Sequence, residues 1–175
     1  MNTKIFLVTG PSGAGKDTLI KLAKEYLKDN KEIIFLKRYI TRKPDKNEEN
    51  YYLSREAFFI LEKSGFFFTT WKAYNNLYGI SFNEICLKNK KVIISISRKK
   101  VSCFERKFNY VHTLYITESV EKIEERLNMR KREPDDMIKK RLSRYNIMPD
   151  TNNITFIYNT NLDKSLKKFL DILKR

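Results

Sequence analysis

Glycine, cysteine and histidine are scarce in this chain: its 175 residues include five glycines, two cysteines and one histidine. Cys86 and Cys103 stand far apart, with only His112 to join them, which argues against a zinc centre and against a disulfide framework. Long apolar runs are missing too. No stretch approaches the length that crosses a bilayer, and Met1 to Leu7 lacks the layout of a secretory signal, so a cytoplasmic protein without membrane attachment is expected. Acidic residues are outnumbered, 21 against 36 basic ones, for a formal net charge of +15. The excess is scattered along the whole chain and gathers in no arm or tail, so much of it reads as solvated surface and no specific nucleic-acid partner is expected. Neither an internal repeat nor a low-complexity linker divides the chain, and 41% hydrophobic content suffices for the core of one domain.

Three of the five glycines fall within six residues, in Gly10-Pro11-Ser12-Gly13-Ala14-Gly15-Lys16-Asp17. Gly, four residues, Gly, Lys, then Ser or Thr is the pattern of a phosphate-binding loop, and here Asp17 holds the last place. The context is the one such a loop requires. Ile5 to Val8 reads as a buried strand, and Thr18 to Leu27 has helical spacing. Glycine lets the backbone turn so that several N–H groups converge on one phosphate at the positive end of the next helix, with Lys16 reaching the outer phosphates. Gly10 to Thr18 is therefore the candidate site for a nucleoside triphosphate. Asp17 is open to two readings: a carboxylate that binds Mg²⁺ or one of its waters, with Thr18 as a hydroxyl ligand one place late, or a residue that only caps the helix.

Apolar strands alternate with amphipathic helices, the mark of a parallel sheet wrapped on both faces. Strands are expected at 3–9, 32–37, 91–96, 111–116 and 154–158. Helices are expected at 16–29, 54–63, 81–89, 119–132, 134–146 and 162–174. Ser81 and Glu84 fit a capping box, and Pro134 suits a first helical turn. Residues 38–80 break the alternation with an aromatic-rich segment, including Phe58, Phe59, Phe66, Phe67, Phe68, Trp71, Tyr74 and Tyr78, that is expected to form a small appended layer with most of the aromatics in its core. Asn159 and Asn161, near the last strand, are open to two readings, a contact to the adenine or an Asn-rich loop of a common kind, and neither is counted among the site residues.

Arginines are clustered in two places. Arg38-Tyr39-Ile40-Thr41-Arg42 follows a strand and should begin at the carboxyl edge of the sheet, where ligands of open α/β sheets sit. Two arginines there can clamp a phosphate in bidentate fashion, or merely decorate a loop. Arg126 to Arg132 precedes Arg141 and Arg144, which are three apart and share a helix face. This second group reads as a lid carrying positive charge onto a transferring phosphoryl group, or as an exposed basic helix laced with acids.

Together these residues resemble the guanylate kinase-type branch of the nucleoside monophosphate kinases, and within it the ribose 1,5-bisphosphate phosphokinase family. The resemblance spans nearly the full length. It rests on Gly10 to Asp17, Arg38 to Arg42, Glu49-Asn50, Leu53-Ser54 with Phe58-Phe59, Trp71-Lys72-Ala73 leading to Leu77-Tyr78-Gly79, Ser97-Arg98, and the arginines at 126–144. It implies an α/β P-loop NTPase fold in one kinase domain: a core at 1–37 and 91–175, an acceptor-binding insertion at about 38–80 and a helical lid at about 126–145. It also implies ATP as donor, Mg²⁺ as cofactor, small phosphorylated partners, and a monomer or homodimer. Carried over by position, Lys16, Asp17, Arg130 and Arg141 would be catalytic, and Arg126 and Arg130 would join the loop in binding ATP. Arg38, Arg42, Glu49, Asn50, Lys72, Tyr78, Ser97, Arg98, Arg132 and Arg144 would bind the acceptor.

Guanylate kinase itself is the rival. Its guanine pocket needs acceptors, which guanylate kinases resemble one another in supplying as Glu, Asp and Thr. The corresponding places here hold Lys72, Ser97 and Ile80, and Lys is donor-only while Ile is neither donor nor acceptor. A non-catalytic binding module is the third reading, against which the intact Gly15-Lys16 loop and the arginine lid stand.

Overall fold

The computed structural model describes residues 3–44, 49–85, 87, 89–129 and 135–174. Five strands, β1 (Lys4–Thr9), β2 (Ile33–Leu36), β7 (Lys91–Ser95), β8 (Val111–Thr117) and β9 (Ile154–Tyr158), form one sheet in the order β2-β7-β1-β8-β9. All its pairings are parallel, as in Leu7 with Ile94 and with Thr113. The near-continuous apolar runs IFLV and VII belong to strands buried on both sides, since helices cover both faces of such a sheet.

On one face α1 (Lys16–Tyr26), α5 (Val120–Met129), α6 (Asp135–Leu142) and α7 (Leu162–Lys174) enclose Phe6, Val8, Ile93, Leu114 and Ile116. The opposite face carries Ile5, Leu7, Val92 and Ile94, covered by α3 (Phe82–Ile85) and α4 (Val101–Glu105). Alternate residues of β1 thus feed different cores, as the two-residue period of a strand demands.

Between β2 and β7 the chain builds a second, four-stranded sheet in the order β4-β3-β6-β5, from β3 (Arg38–Ile40), β4 (Asn50–Tyr52), β5 (Phe67–Ala73) and β6 (Asn76–Ser81). Helix α2 (Arg55–Lys63) lies between β4 and β5, with the Ser54 hydroxyl accepting from the Ala57 N–H at 3.1 Å. The appended layer expected at 38–80 is therefore a mixed sheet. Its aromatics are only in part a core: Phe58 is fully buried, Phe66, Phe67, Phe68, Trp71, Tyr74 and Tyr78 are half-buried, and Phe59 is exposed. Trp71 and Tyr78 pair across β5 and β6 with rings stacked at 5.3 Å.

Several expected boundaries move. The first helix ends at Tyr26, and the helix expected over 81–89 is described only at Phe82–Ile85, with Asn89 in a left-handed conformation. The helix expected over 134–146 ends at Leu142 and continues as tight turns, in which Tyr145 donates to the Leu142 carbonyl. Helix α4 was not expected: five residues are too few to show a helical period.

Candidate active site

The carboxyl ends of β1 and β7 and the start of β3 open onto a cleft of about 270 Å³, roofed by β5 and β6 of the second sheet and by α6. That is where the crossing of an open parallel sheet leaves a crevice. The glycine loop links β1 to α1 at its floor. Gly10, Gly13 and Gly15 all have φ between 89° and 139°. A β-carbon at Gly10 would lie 1.9 Å from the Ile116 carbonyl oxygen, so the loop passes too close to β8 for any side chain. A β-carbon at Gly15 would meet the Asn159 amide at 2.3 Å.

Asn159, left unassigned on sequence grounds, lies against the glycine loop. It is buried, and its side-chain amide donates to the Ala14 carbonyl at 2.9 Å, tying the loop to the end of β9. Arg126, expected to bind ATP, donates to the Asn159 carbonyl at 3.0 Å and to the buried Glu118 carboxylate at 3.4 Å, which places its guanidinium beside Gly15. Neither Asn159 nor Glu118 belongs to a local motif, so only the folded chain brings them to the loop. Asn161 caps α7 by accepting from the Lys164 N–H at 3.0 Å.

Lys16 curls over the loop and donates to the carbonyls of Pro11, at 2.7 Å, and Gly10, at 3.1 Å. The N-cap of α1 is Gly15 and no side chain caps this helix, so Asp17 is not its cap. Its carboxylate lines the cleft with Thr18 and lies 3.6 Å from the Arg38 guanidinium, which also sits over the Tyr78 ring. Arg141 donates to the Ser12 hydroxyl of the loop, and both Arg141 and Arg144 lie against the Tyr74 ring. Arg42 and Ser97 also line the cleft. Ser95, at the end of β7, lines it with a buried hydroxyl that the sequence did not flag.

Other expected residues fall elsewhere or are engaged by the backbone. Lys72 is exposed: Trp71 and Ala73 on either side of it face the cleft, so strand alternation turns Lys72 away. Glu49 pairs with Lys24 at 2.5 Å and Lys37 at 3.1 Å in a neighbouring pocket of about 150 Å³ between α1 and β2, and the Lys24 and then the Lys37 ammonium hold its carboxyl below the usual range. Asn50 is buried and donates to the Arg42 carbonyl at 2.9 Å, supporting the arginine without lining the cleft. Arg98 lines the cleft but donates to the backbone carbonyls of Tyr145, at 3.0 Å, and Ile147, at 2.8 Å. Ile80 is fully buried in the core. Arg130 and Arg132 lie outside the described residues.

The sequence profile described as guanylate kinase matches residues 2–175. The chain belongs to the guanylate kinase family. It is 32% identical over 143 residues to ribose 1,5-bisphosphate phosphokinase PhnN of Bradyrhizobium diazoefficiens, covering 81% of this chain and 72% of that one. It is 36% identical over 142 residues to the protein of the same name from Chromobacterium violaceum, covering 79% and 76%. Among solved structures, guanylate kinase from Anaplasma phagocytophilum matches with a TM-score of 0.68 at 18% identity, covering 98% of this chain and 85% of that one. A gluconokinase from Sinorhizobium meliloti matches with a TM-score of 0.54 at 16% identity, covering 98% and 92%. At such identities these structural likenesses speak for the fold alone. No helix among the described residues is long and apolar enough to cross a membrane.

Proposed function

We propose that this member of the family transfers the terminal phosphoryl group of ATP to the 1-phosphate of ribose 1,5-bisphosphate, giving 5-phosphoribosyl 1-diphosphate and ADP. The observation that carries the reading is the charge of the cleft. Among the described residues, Lys16, Arg38, Arg42, Arg98, Arg141 and Arg144 line it, against the single carboxylate of Asp17. Six cations to one anion suit a triphosphate facing a doubly phosphorylated sugar, whose charges need neutralising before they can approach. Guanine would need carboxylate or hydroxyl acceptors. Of the three places where guanylate kinases supply them, Lys72 is exposed, Ile80 is buried in the core, and only the hydroxyl of Ser97 reaches the cleft. Curated relatives named for the sugar bisphosphate support the same choice.

In this reading the transfer is in line. An oxygen of the acceptor's 1-phosphate forms the bond to the γ-phosphorus as the bond from that phosphorus to the β,γ-bridging oxygen breaks, and ADP departs. The accepting oxygen is already ionised near neutral pH, so no side chain has to remove a proton. The loop N–H groups and Lys16 hold the donor phosphates, with Lys16 exchanging its two loop carbonyls for phosphate oxygens. Arg38 and Arg42 orient the acceptor, and Arg141 and Arg144 close over the group in transit. Asp17 and Thr18 fit a site for Mg²⁺: a partly exposed carboxylate and an adjacent hydroxyl both line the cleft, and this ion asks for few protein ligands. Bound there with ATP, it would offset the charge of the phosphate oxygens. The second sheet is then the acceptor layer of a single kinase domain, with α6 as part of its lid.

The test is ADP formation from Mg-ATP with ribose 1,5-bisphosphate, GMP, dGMP, AMP or no acceptor at equal concentrations. Turnover confined to the sugar bisphosphate is expected. Trp71, the only tryptophan, lines the cleft, so its fluorescence should shift on titration with that acceptor. Turnover with GMP alone would overturn the assignment and return the chain to guanylate kinase activity.

A further inference from the structure

The hairpin between β5 and β6 turns on two residues, Tyr74 at φ 47° and Asn75 at φ 64°. Two left-handed residues are what a tight hairpin turn of this length requires, and Asn or Gly normally supply them. A bulky aromatic at the first place is an outlier. The turn is further held by Arg55, which donates to the Asn75 backbone carbonyl and, at 3.2 Å, to its side-chain oxygen.

The Tyr74 ring is where the layers of the molecule meet. The Arg141 guanidinium lies 4.2 Å from the ring centroid and that of Arg144 lies 5.5 Å from it. Both distances are within the reach of cation–π attraction. Arg141 simultaneously donates to Ser12 in the glycine loop. One ring at the tip of the second sheet thus gathers two arginines of like charge, and one of them, Arg141, reaches the glycine loop. Like charges held this close repel, and an anion placed between ring and loop relieves that repulsion.

We propose that Tyr74 is the positioning residue of the arginine lid: its ring holds Arg141 and Arg144 over the cleft, so that the acceptor layer and the lid act as one unit during transfer. The proposal rests on the kinase reading above. The decisive variant is Tyr74→Asn, since Asn suits the left-handed turn while removing the ring. Its melting temperature should equal or exceed that of the wild type, whereas kcat should fall about tenfold or more with the KM for ATP changed less than about twofold. Tyr74→Phe keeps the ring face and should recover most of the lost turnover. Tyr74→Leu keeps the bulk without the π system and should resemble Tyr74→Asn. Unchanged kcat in Tyr74→Asn, or equal loss in Tyr74→Phe, would overturn the proposal. All variants are assayed with whichever acceptor the wild type uses in the panel, so a wild type that prefers GMP sinks the acceptor assignment while leaving this test intact. If Tyr74→Asn melts early, the Tyr74→Phe and Tyr74→Leu pair decides.

Discussion

Asp17 stands where a neutral hydroxyl ligand is usual in a phosphate-binding loop; it lies in the first turn of α1 and does not cap that helix, because Gly15 occupies the N-cap. Its carboxylate faces the cleft with Arg38 at 3.6 Å. Replacing Asp17 by Ala should lower kcat by an order of magnitude or more and change the KM for ATP little, as steady-state kinetics at saturating Mg²⁺ will show; unchanged turnover would remove the metal role. Arg42 lines the cleft with its carbonyl held by Asn50. Arg42→Ala should raise the KM for the sugar phosphate about tenfold, since a hydrogen bond to a charged group contributes about 1.5 to 3 kcal/mol. A change confined to the KM for ATP would show that Arg42 serves the donor. At this scale the loop residues were readable from their spacing alone. Asn159 and Glu118 were not: Asn159 acts on a loop more than a hundred residues away in the chain, Glu118 acts only through the Arg126 guanidinium, and nothing local marks either.

The elements that differ most from the reading of the sequence are those of the second sheet. Strands β3 and β4 are three residues each, too short for an alternating pattern to be distinguished from chance, and β5 carries a register shift between Phe67 and Thr69 that breaks its period. The same alternation decides Lys72, which faces away because Trp71 and Ala73 face in. Arg98 belongs to this scale as well. Expected at the acceptor, it lines the cleft and also joins the end of β7 to the turns after α6 through the Tyr145 and Ile147 carbonyls. Arg98→Ala leaves both carbonyls without that partner and should cost about 1.5 to 3 kcal/mol of stability, read from the urea midpoint. Undiminished stability with a raised KM for the acceptor would make Arg98 a ligand instead.

For the whole molecule, Glu84 on α3 marks an electrostatic cost. Burial pushes its carboxyl above the usual range, and one of its oxygens is buried without a hydrogen-bond partner. Nearby Tyr39 is pushed up as well, by burial first and then by the Glu84 and Tyr51 charges. A raised carboxyl binds more protons folded than unfolded, so its penalty grows as pH rises from the ordinary glutamate range through the raised value and is complete above it. Glu84→Gln should therefore raise the melting temperature at pH 7, with the gain shrinking towards pH 4; a gain independent of pH would show that charge is not the cause. Glu49 has the opposite sign, contributing above the ordinary range and losing its contribution as pH falls, but it is exposed and its share is small. By itself the sequence determined the glycine loop and the parallel sheet, because each is encoded in short-range spacing: glycines at fixed intervals, apolar runs of strand length, helices of regular period; the family came from its resemblance to known kinases in motifs spread over nearly the whole chain. Tertiary structure alone decided which arginines face the cleft, that Glu49 and Lys72 stand away from it, and that Tyr74 meets Arg141 and Arg144. Those outcomes depend on which side of a strand or helix a residue takes and on what packs against it, and neither is set until the two sheets and the helices close together.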